Sequence, residues 1–240
     1  MSSKLSSASS SLPSNASEYL IVSKIFPFTG YQFDPFSLHL ETLDGRELTF
    51  SKSDLPNNLW ISTDLLKISS NQINEIYDNV VECEAKKVIL NYSSFTDKIW
   101  MEKLAKFTKN CEEFQFYLNT ANNLEFSIGN ILSILPKTKK IYFFSLNNAA
   151  IPSFSSMDNF TAPPSLEYFC VGDLKACFSY DRLSDFMLKN QHIKFEFANI
   201  PKKGNVRGFV KDVIGKWGKN SNRPTFIKYT LQQNPVGSSL

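Results

Sequence analysis

The chain has 240 residues, 42% of them hydrophobic and 20% charged, with a formal net charge of +3. That composition suits a folded domain with a sizeable core and gives no whole-protein case for binding nucleic acid or a membrane surface. No apolar run approaches the ~18 residues of a spanning helix, and residues 1–17 carry no apolar core of a secretory signal, so a cytoplasmic or nuclear location with reduced thiols is expected.

Taken in order, residues 1–17 are Ser-rich and too poor in apolar surface to offset the entropy of ordering, so they read as a disordered tail. From 18 to 53, Tyr19-Leu20-Ile21-Val22, Phe36-x-Leu38-x-Leu40 and Leu48-x-Phe50 read as strands, and Asp44-Gly45 is a hairpin signal between the last two. This segment is expected to form a β-hairpin cap over an open sheet edge. Leu66-x-Ile68, followed by a helical run with Ile73, Ile76, Tyr77, Val80 and Val81 on one face, reads as a degenerate first β/α unit.

From Ala85 to about Ala198 one strand-like phrase recurs: Lys86-Lys87-Val88-Ile89-Leu90, Glu112-Glu113-Phe114-Gln115-Phe116, Lys139-Lys140-Ile141-Tyr142-Phe143, Glu167-Tyr168-Phe169-Cys170-Val171 and Ile193-Lys194-Phe195-Glu196-Phe197. Each is polar or mixed, then apolar-x-apolar, and the anchors Val88, Phe114, Ile141, Phe169 and Phe195 fall 26, 27, 28 and 26 residues apart. Such a strand turns two side chains to one face and cannot bury them alone, so neighbours must stack. The expected fold is therefore α/β: a leucine-rich-repeat-like solenoid of about 5–7 irregular β/α units over residues 54–232, with the N-terminal cap before it and a flexible tail at 233–240. The alternative is an irregular α/β domain without stacked strands.

The connections read as follows. Thr96 to Asn110 is an amphipathic helix capped by Thr96 and burying Ile99, Leu104 and Phe107, and Leu124 to Leu135 is a helix stopped by Pro136. Asn147 to Pro164 is loop, and Tyr180 to Asn190 returns to helix with Leu183, Phe186 and Met187 inward. Asn205 to Lys219 is the cleanest amphipathic helix, with Val206, Phe209, Val210, Val213, Ile214 and Trp217 on one arc, and Phe226 to Tyr229 supplies a last strand.

Residues near the end of the array carry a resemblance. Phe209-Val210-x-x-Val213-Ile214-x-Lys216-Trp217-x-Lys219-Asn220-Ser221-Asn222-Arg223-Pro224, followed by Phe226-Ile227-x-Tyr229, resembles the helix, Asn-rich turn and closing strand of the F-box-associated domains expanded in nematodes. Those domains are similar in layout as well, with an N-terminal strand region and then leucine-rich-like β/α units. The resemblance implies the substrate-recognition part of a cullin-type ubiquitin-ligase adaptor. The F-box itself is not visible before Tyr19, and Leu55-Pro56 runs into Asn57, Asn58, Leu59 and Trp60 rather than into that helical motif. A Skp1-like adaptor is thus an expected partner only if a divergent F-box is present. The Asn ladder of leucine-rich repeats is also poor: five residues after each anchor stand Ser93, Asn119, Leu146, Leu174 and Ile200.

In a solenoid the non-core positions of the strands form columns on the concave sheet. One column is Ile89, Gln115, Tyr142, Cys170 and Glu196; beside it run Lys87, Glu113, Lys140, Tyr168 and Lys194, and Asn91, Tyr117, Phe144, Gly172 and Ala198. Tyr117, Tyr142, Phe144 and Tyr168 are the candidate partner-binding anchors, rimmed by Lys87, Lys140 and Lys194, because Tyr offers large area with two χ angles and a polar tip. A register one residue away would put some of these rings in the core instead. Lys202, Lys203, Arg207, Lys211, Lys216, Lys219 and Arg223 stand against Asp212 alone and read first as a solvated helix face, second as an acidic-partner or phosphate patch.

Catalytic signatures are missing: there is no HExxH, G-x-S-x-G, P-loop or dinucleotide fingerprint. His39 and His192 lie far apart, and Cys83, Cys111, Cys170 and Cys177 lack a CxxC spacing, so neither a metal nor a cofactor is expected. The reading is a non-catalytic protein-recognition module whose protein client is unnamed, with no nucleic-acid or membrane partner. A small hydrolase or transferase on an unrecognised α/β fold and a purely structural scaffold are the alternatives.

Overall fold

The computed structural model describes residues 20–25, 38–42, 44, 46–50, 54–92, 100–118, 128–145, 162–172, 180–198, 206–217 and 222–227. In chain order their elements are β1 (Leu20–Ile25), β2 (Leu38–Thr42), β3 (Glu47–Phe50), β4 (Leu59–Ile61), β5 (Leu65–Ser69), α1 (Ser70–Ile76), β6 (Val80–Cys83), β7 (Lys87–Tyr92), α2 (Trp100–Thr108), β8 (Glu113–Leu118), α3 (Ile128–Ser133), β9 (Lys140–Ser145), β10 (Tyr168–Val171), α4 (Tyr180–Lys189), β11 (Lys194–Ala198), α5 (Val206–Lys216) and β12 (Thr225–Ile227). The protein is mixed α/β, and its main sheet has seven strands in the order β12-β11-β10-β9-β8-β7-β5, every pair parallel.

The register of that sheet follows from the apolar-x-apolar phrase. Leu66, Val88, Phe114, Ile141, Phe169 and Phe195 stand opposite one another on successive strands, and Ile68, Leu90, Phe116, Phe143, Val171, Phe197 and Phe226 form the next row. The side chains of both rows are fully buried except Phe226, which is half-buried at the edge. A slip of one residue would turn every one of them to the opposite face, so burial of this size holds the register. Onto this apolar face pack the helices. Phe186 of α4 meets Phe169 and Phe195 at 5.8 and 5.9 Å, Trp217 at the end of α5 meets Phe195 edge-on at 6.0 Å, and Ile73, Leu104, Phe107, Ile131 and Leu132 of α1 to α3 join the same core.

Turns ahead of the strands are tied to one another by side chains that reach about one connection back. Asn110 Nδ2 donates to the Cys83 carbonyl (3.2 Å), Thr138 Oγ1 to Cys111 (2.9 Å), Ser165 Oγ to Thr138 (3.1 Å) and Asn222 Nδ2 to His192 (3.1 Å). Asn79 Nδ2 does the same for Leu55 (3.2 Å). Carbonyls at sharp turns have no partner in the sheet, and a buried one left open is costly. A polar ladder therefore exists, and its rungs Asn110, Thr138 and Ser165 lie three or four residues before the anchors Phe114, Ile141 and Phe169 rather than five after them.

The second sheet has the order β3-β2-β1-β4-β6. Its β2–β3 hairpin is where Asp44 and the alternating strands place it, with Leu40 opposite Leu48, and Thr42 hydrogen-bonds to Asp44 at the turn. The segment is more than a hairpin, however. β1 pairs antiparallel with β2 and parallel with β4, which pairs parallel with β6, so the sheet continues across residue 54. This sheet also corrects the reading of Val80 and Val81 as helical: α1 ends at Ile76, and the β-branched pair enters β6, where Val80 is buried and Val81 exposed. The short α1 begins in a capping box, Ser69 Oγ accepting the Gln72 N–H and Gln72 Oε1 accepting the Ser69 N–H.

The tails at 1–17 and 233–240, the cap at Thr96, the segment Leu124 to Ser127, most of the 147–164 loop, Cys177, Lys202, Lys203, Lys219 and Tyr229 lie outside the described residues. No helix among the described residues is long and apolar enough to cross a membrane.

Candidate functional site

Alternation along each strand leaves the main sheet with a second face, made of the residues between and beside the buried rows. Across it run Lys67, Ile89, Gln115, Tyr142, Cys170, Glu196 and Thr225 in one row; Leu65, Lys87, Glu113, Lys140, Tyr168 and Lys194 in the next; and Ser69, Asn91, Tyr117 and Phe144 in a third. None of these belongs to the main apolar core, with which all five described helices pack.

All seven candidate residues fall on this face. The four rings, each half-buried, form one contiguous group: Tyr117 against Phe144 at 4.9 Å, Phe144 against Tyr142 at 6.1 Å, and Tyr142 against Tyr168 at 5.2 Å. Lys194 extends over the Tyr168 ring, its Nζ 5.8 Å from the centroid. Lys87 instead pairs with Glu113 at 2.6 Å, while Lys140 is exposed beside that carboxylate. The register that would have put these rings in the core is not the one adopted.

Three residues shape the group in ways that column position alone does not disclose. Gln115 accepts from the Tyr117 hydroxyl (3.2 Å) and donates to Glu113 (2.8 Å), so a polar chain runs along β8 from ring to ion pair. Burial pushes the Glu113 carboxyl up, but hydrogen bonds from Lys87 and Gln115 and the charges of Lys87 and Lys140 outweigh it and hold the pKa below the usual range. Gly172 follows β10, and a Cβ there would meet Cδ1 and Cε1 of Phe144, the latter at 2.9 Å, so the missing side chain is the seat of that ring. Glu196 faces Tyr168, whose phenol is pushed up, first by burial and then by a hydrogen bond to that carboxylate.

The face holds little reactive chemistry. Cys170 lies buried beneath Tyr142 and Tyr168, and burial, with Glu196 next, raises its thiol to about 11. No group of three or more His, Cys, Asp or Glu among the described residues could hold a metal ion. No protein-family model, no curated protein and no solved structure matches the chain.

Proposed function

We propose that the chain is a non-catalytic protein-recognition module that binds its client through the ring-bearing face of the main sheet. The observation that carries this reading is the contiguous set Tyr117, Phe144, Tyr142 and Tyr168 with Lys140 and Lys194 at its rim. Large, preordered aromatic side chains are typical interface hot spots, since they bury much area at low entropic cost, and a polar, solvated rim around them is the usual setting. The reading extends to a leucine-rich-repeat-like solenoid, supported by seven parallel strands in chain order with helices on one face. It extends further, on the motif from Phe209 to Tyr229, to the substrate-binding part of an F-box-type ubiquitin-ligase adaptor.

Site-directed photo-crosslinking tests the face. A photoreactive amino acid at position 142 is expected to capture a client protein that the same group at position 211, on the solvent side of α5, does not. Equal capture from both positions removes the face as the recognition surface. Mixing the purified chain with a recombinant Skp1-like adaptor tests the ligase role separately: co-elution supports it, and two independent peaks dismiss the tethering half.

A further inference from the structure

Ring orientation and charge on this face together restrict what can occupy it. Tyr117 and Phe144 hold paired positions on β8 and β9, and their centroids are 4.9 Å apart with planes 23° from parallel. Neighbouring strands are spaced by about 4.8 Å, and two rings lying flat on the sheet would overlap at that separation. They must stand on edge, face against face, with their hydrogen-bearing rims outward. Tyr142 stands the same way, its plane 14° from that of Phe144. The rim carries the positive part of the aromatic quadrupole, so it favours oxygen and negative charge. A nucleobase would need an open ring face to stack upon, and the faces that Tyr117 and Phe144 turn toward each other are closed to it.

Charge points the same way. Lys67, Lys87, Lys140 and Lys194 lie on the face against Glu113 and Glu196. Glu113 is bound to Lys87 and Gln115, and Glu196 faces the Tyr168 phenol. Lys140 has no carboxylate within ion-pair distance among the described residues, and Lys194 rests on a ring. With the Lys87–Glu113 pair set aside, the exposed Lys67, Lys140 and Lys194 outnumber the one remaining carboxylate, Glu196, so the net charge of the face is positive, and Lys140 and Lys194 are the two that flank the rings.

We infer that the occupant is an acidic peptide segment with a carboxylate at each of Lys140 and Lys194 and its backbone carbonyl oxygens against the rims of Tyr142 and Phe144. Lys140 and Lys194 are two strands apart across β10, about 10 Å. A polyproline-II segment, which rises about 3.1 Å per residue and returns to the same face every three residues, covers that span in three steps, so the motif is two acids separated by two residues. The inference rests on the reading of this face as a recognition surface.

The test is a phage-displayed peptide library panned on the full chain, with the retained peptides resynthesised and titrated by fluorescence anisotropy. Expected are sequences rich in Asp and Glu three positions apart, whose affinity falls about tenfold in the double variant Lys140→Glu/Lys194→Glu and declines with added salt. Circular dichroism on the variants checks that they fold. Neutral or basic peptides that still depend on Phe144 overturn the acidic motif and leave the recognition face standing. Peptides indifferent to Lys140, Lys194 and Phe144 alike, or no retained peptide, overturn both. A 12-nucleotide oligothymidylate that binds with loss upon Phe144→Ala would replace the peptide by single-stranded nucleic acid and overturn the inference.

Discussion

Phe144 on β9 packs over Gly172 on the next connection, and the space it fills is the space a side chain at 172 would need. Two opposed effects then bear on Gly172→Ala. Overpacking against the ring costs about 1–3 kcal/mol, while the loss of glycine's freedom in the unfolded chain returns about 0.4–1 kcal/mol. Net destabilisation is expected in the wild-type background, and neutrality or slight stabilisation once Phe144→Ala has removed the ring. Urea denaturation of the four members of this cycle reads the coupling, and simple additivity would show that the ring does not sit there.

Phe143 and Phe144 are neighbours in sequence on opposite faces of one strand. Phe143 is fully buried, stacked edge-on against Phe116 at 5.9 Å, and Phe143→Ala is expected to cost ~3–5 kcal/mol. Phe144→Ala and Tyr142→Ala, which remove half-buried rings, should cost only about 1 kcal/mol each. Equal losses at 143 and 144 by chemical denaturation would contradict the two-faced sheet.

Thr138 is fully buried and its hydroxyl satisfies the Cys111 carbonyl at 2.9 Å. Thr138→Val keeps the shape and removes the donor, so a loss of about 1–3 kcal/mol is expected from the stranded acceptor. Ser165→Ala, at a more exposed rung of the same ladder, should cost less. Thermal melts of the two variants rank them directly.

Burial pushes the thiols of Cys83 and Cys111 up to about 12. In the unfolded chain they ionise near the ordinary thiol value of 9.0. Below that pH both states keep their protons and the shift has no effect on stability. Above it the unfolded state alone loses protons, so stability falls as pH rises toward the folded values, by about 1.4 kcal/mol per pH unit and per thiol. Unfolding midpoints measured from about pH 8 to about pH 11 should decline more steeply than in a Cys83→Ala/Cys111→Ala variant. At about pH 8 a disulfide reagent should leave Cys83, Cys111 and Cys170 unmodified in a folded Cys177→Ser variant and titrate all three in denaturant.

Local pattern was enough to place most of the main sheet. Val88, Phe114, Ile141, Phe169 and Phe195 lie in one row because alternation along a strand is a property of adjacent residues and the spacing between copies is a property of the chain. The same alternation placed the four rings and three lysines on one face. Less legible was β6, since Val80 and Val81 extend a helical pattern until a sheet partner is supplied by β4. The polar ladder escaped too, because Asn110, Thr138, Ser165 and Asn222 are different residues at slightly different offsets, related only by the carbonyls they reach.

What the amino-acid order determined by itself is thus the period, the inward rows and the membership of the outer face, each encoded within a few residues. Only the tertiary structure decided that β1 to β3 continue into a five-stranded sheet with β4 and β6. It also decided that Lys87 is paired with Glu113 while Lys140 is not, and that Phe144 packs over Gly172. These are contacts between residues more than twenty positions apart, and their geometry depends on how neighbouring strands and turns meet in space.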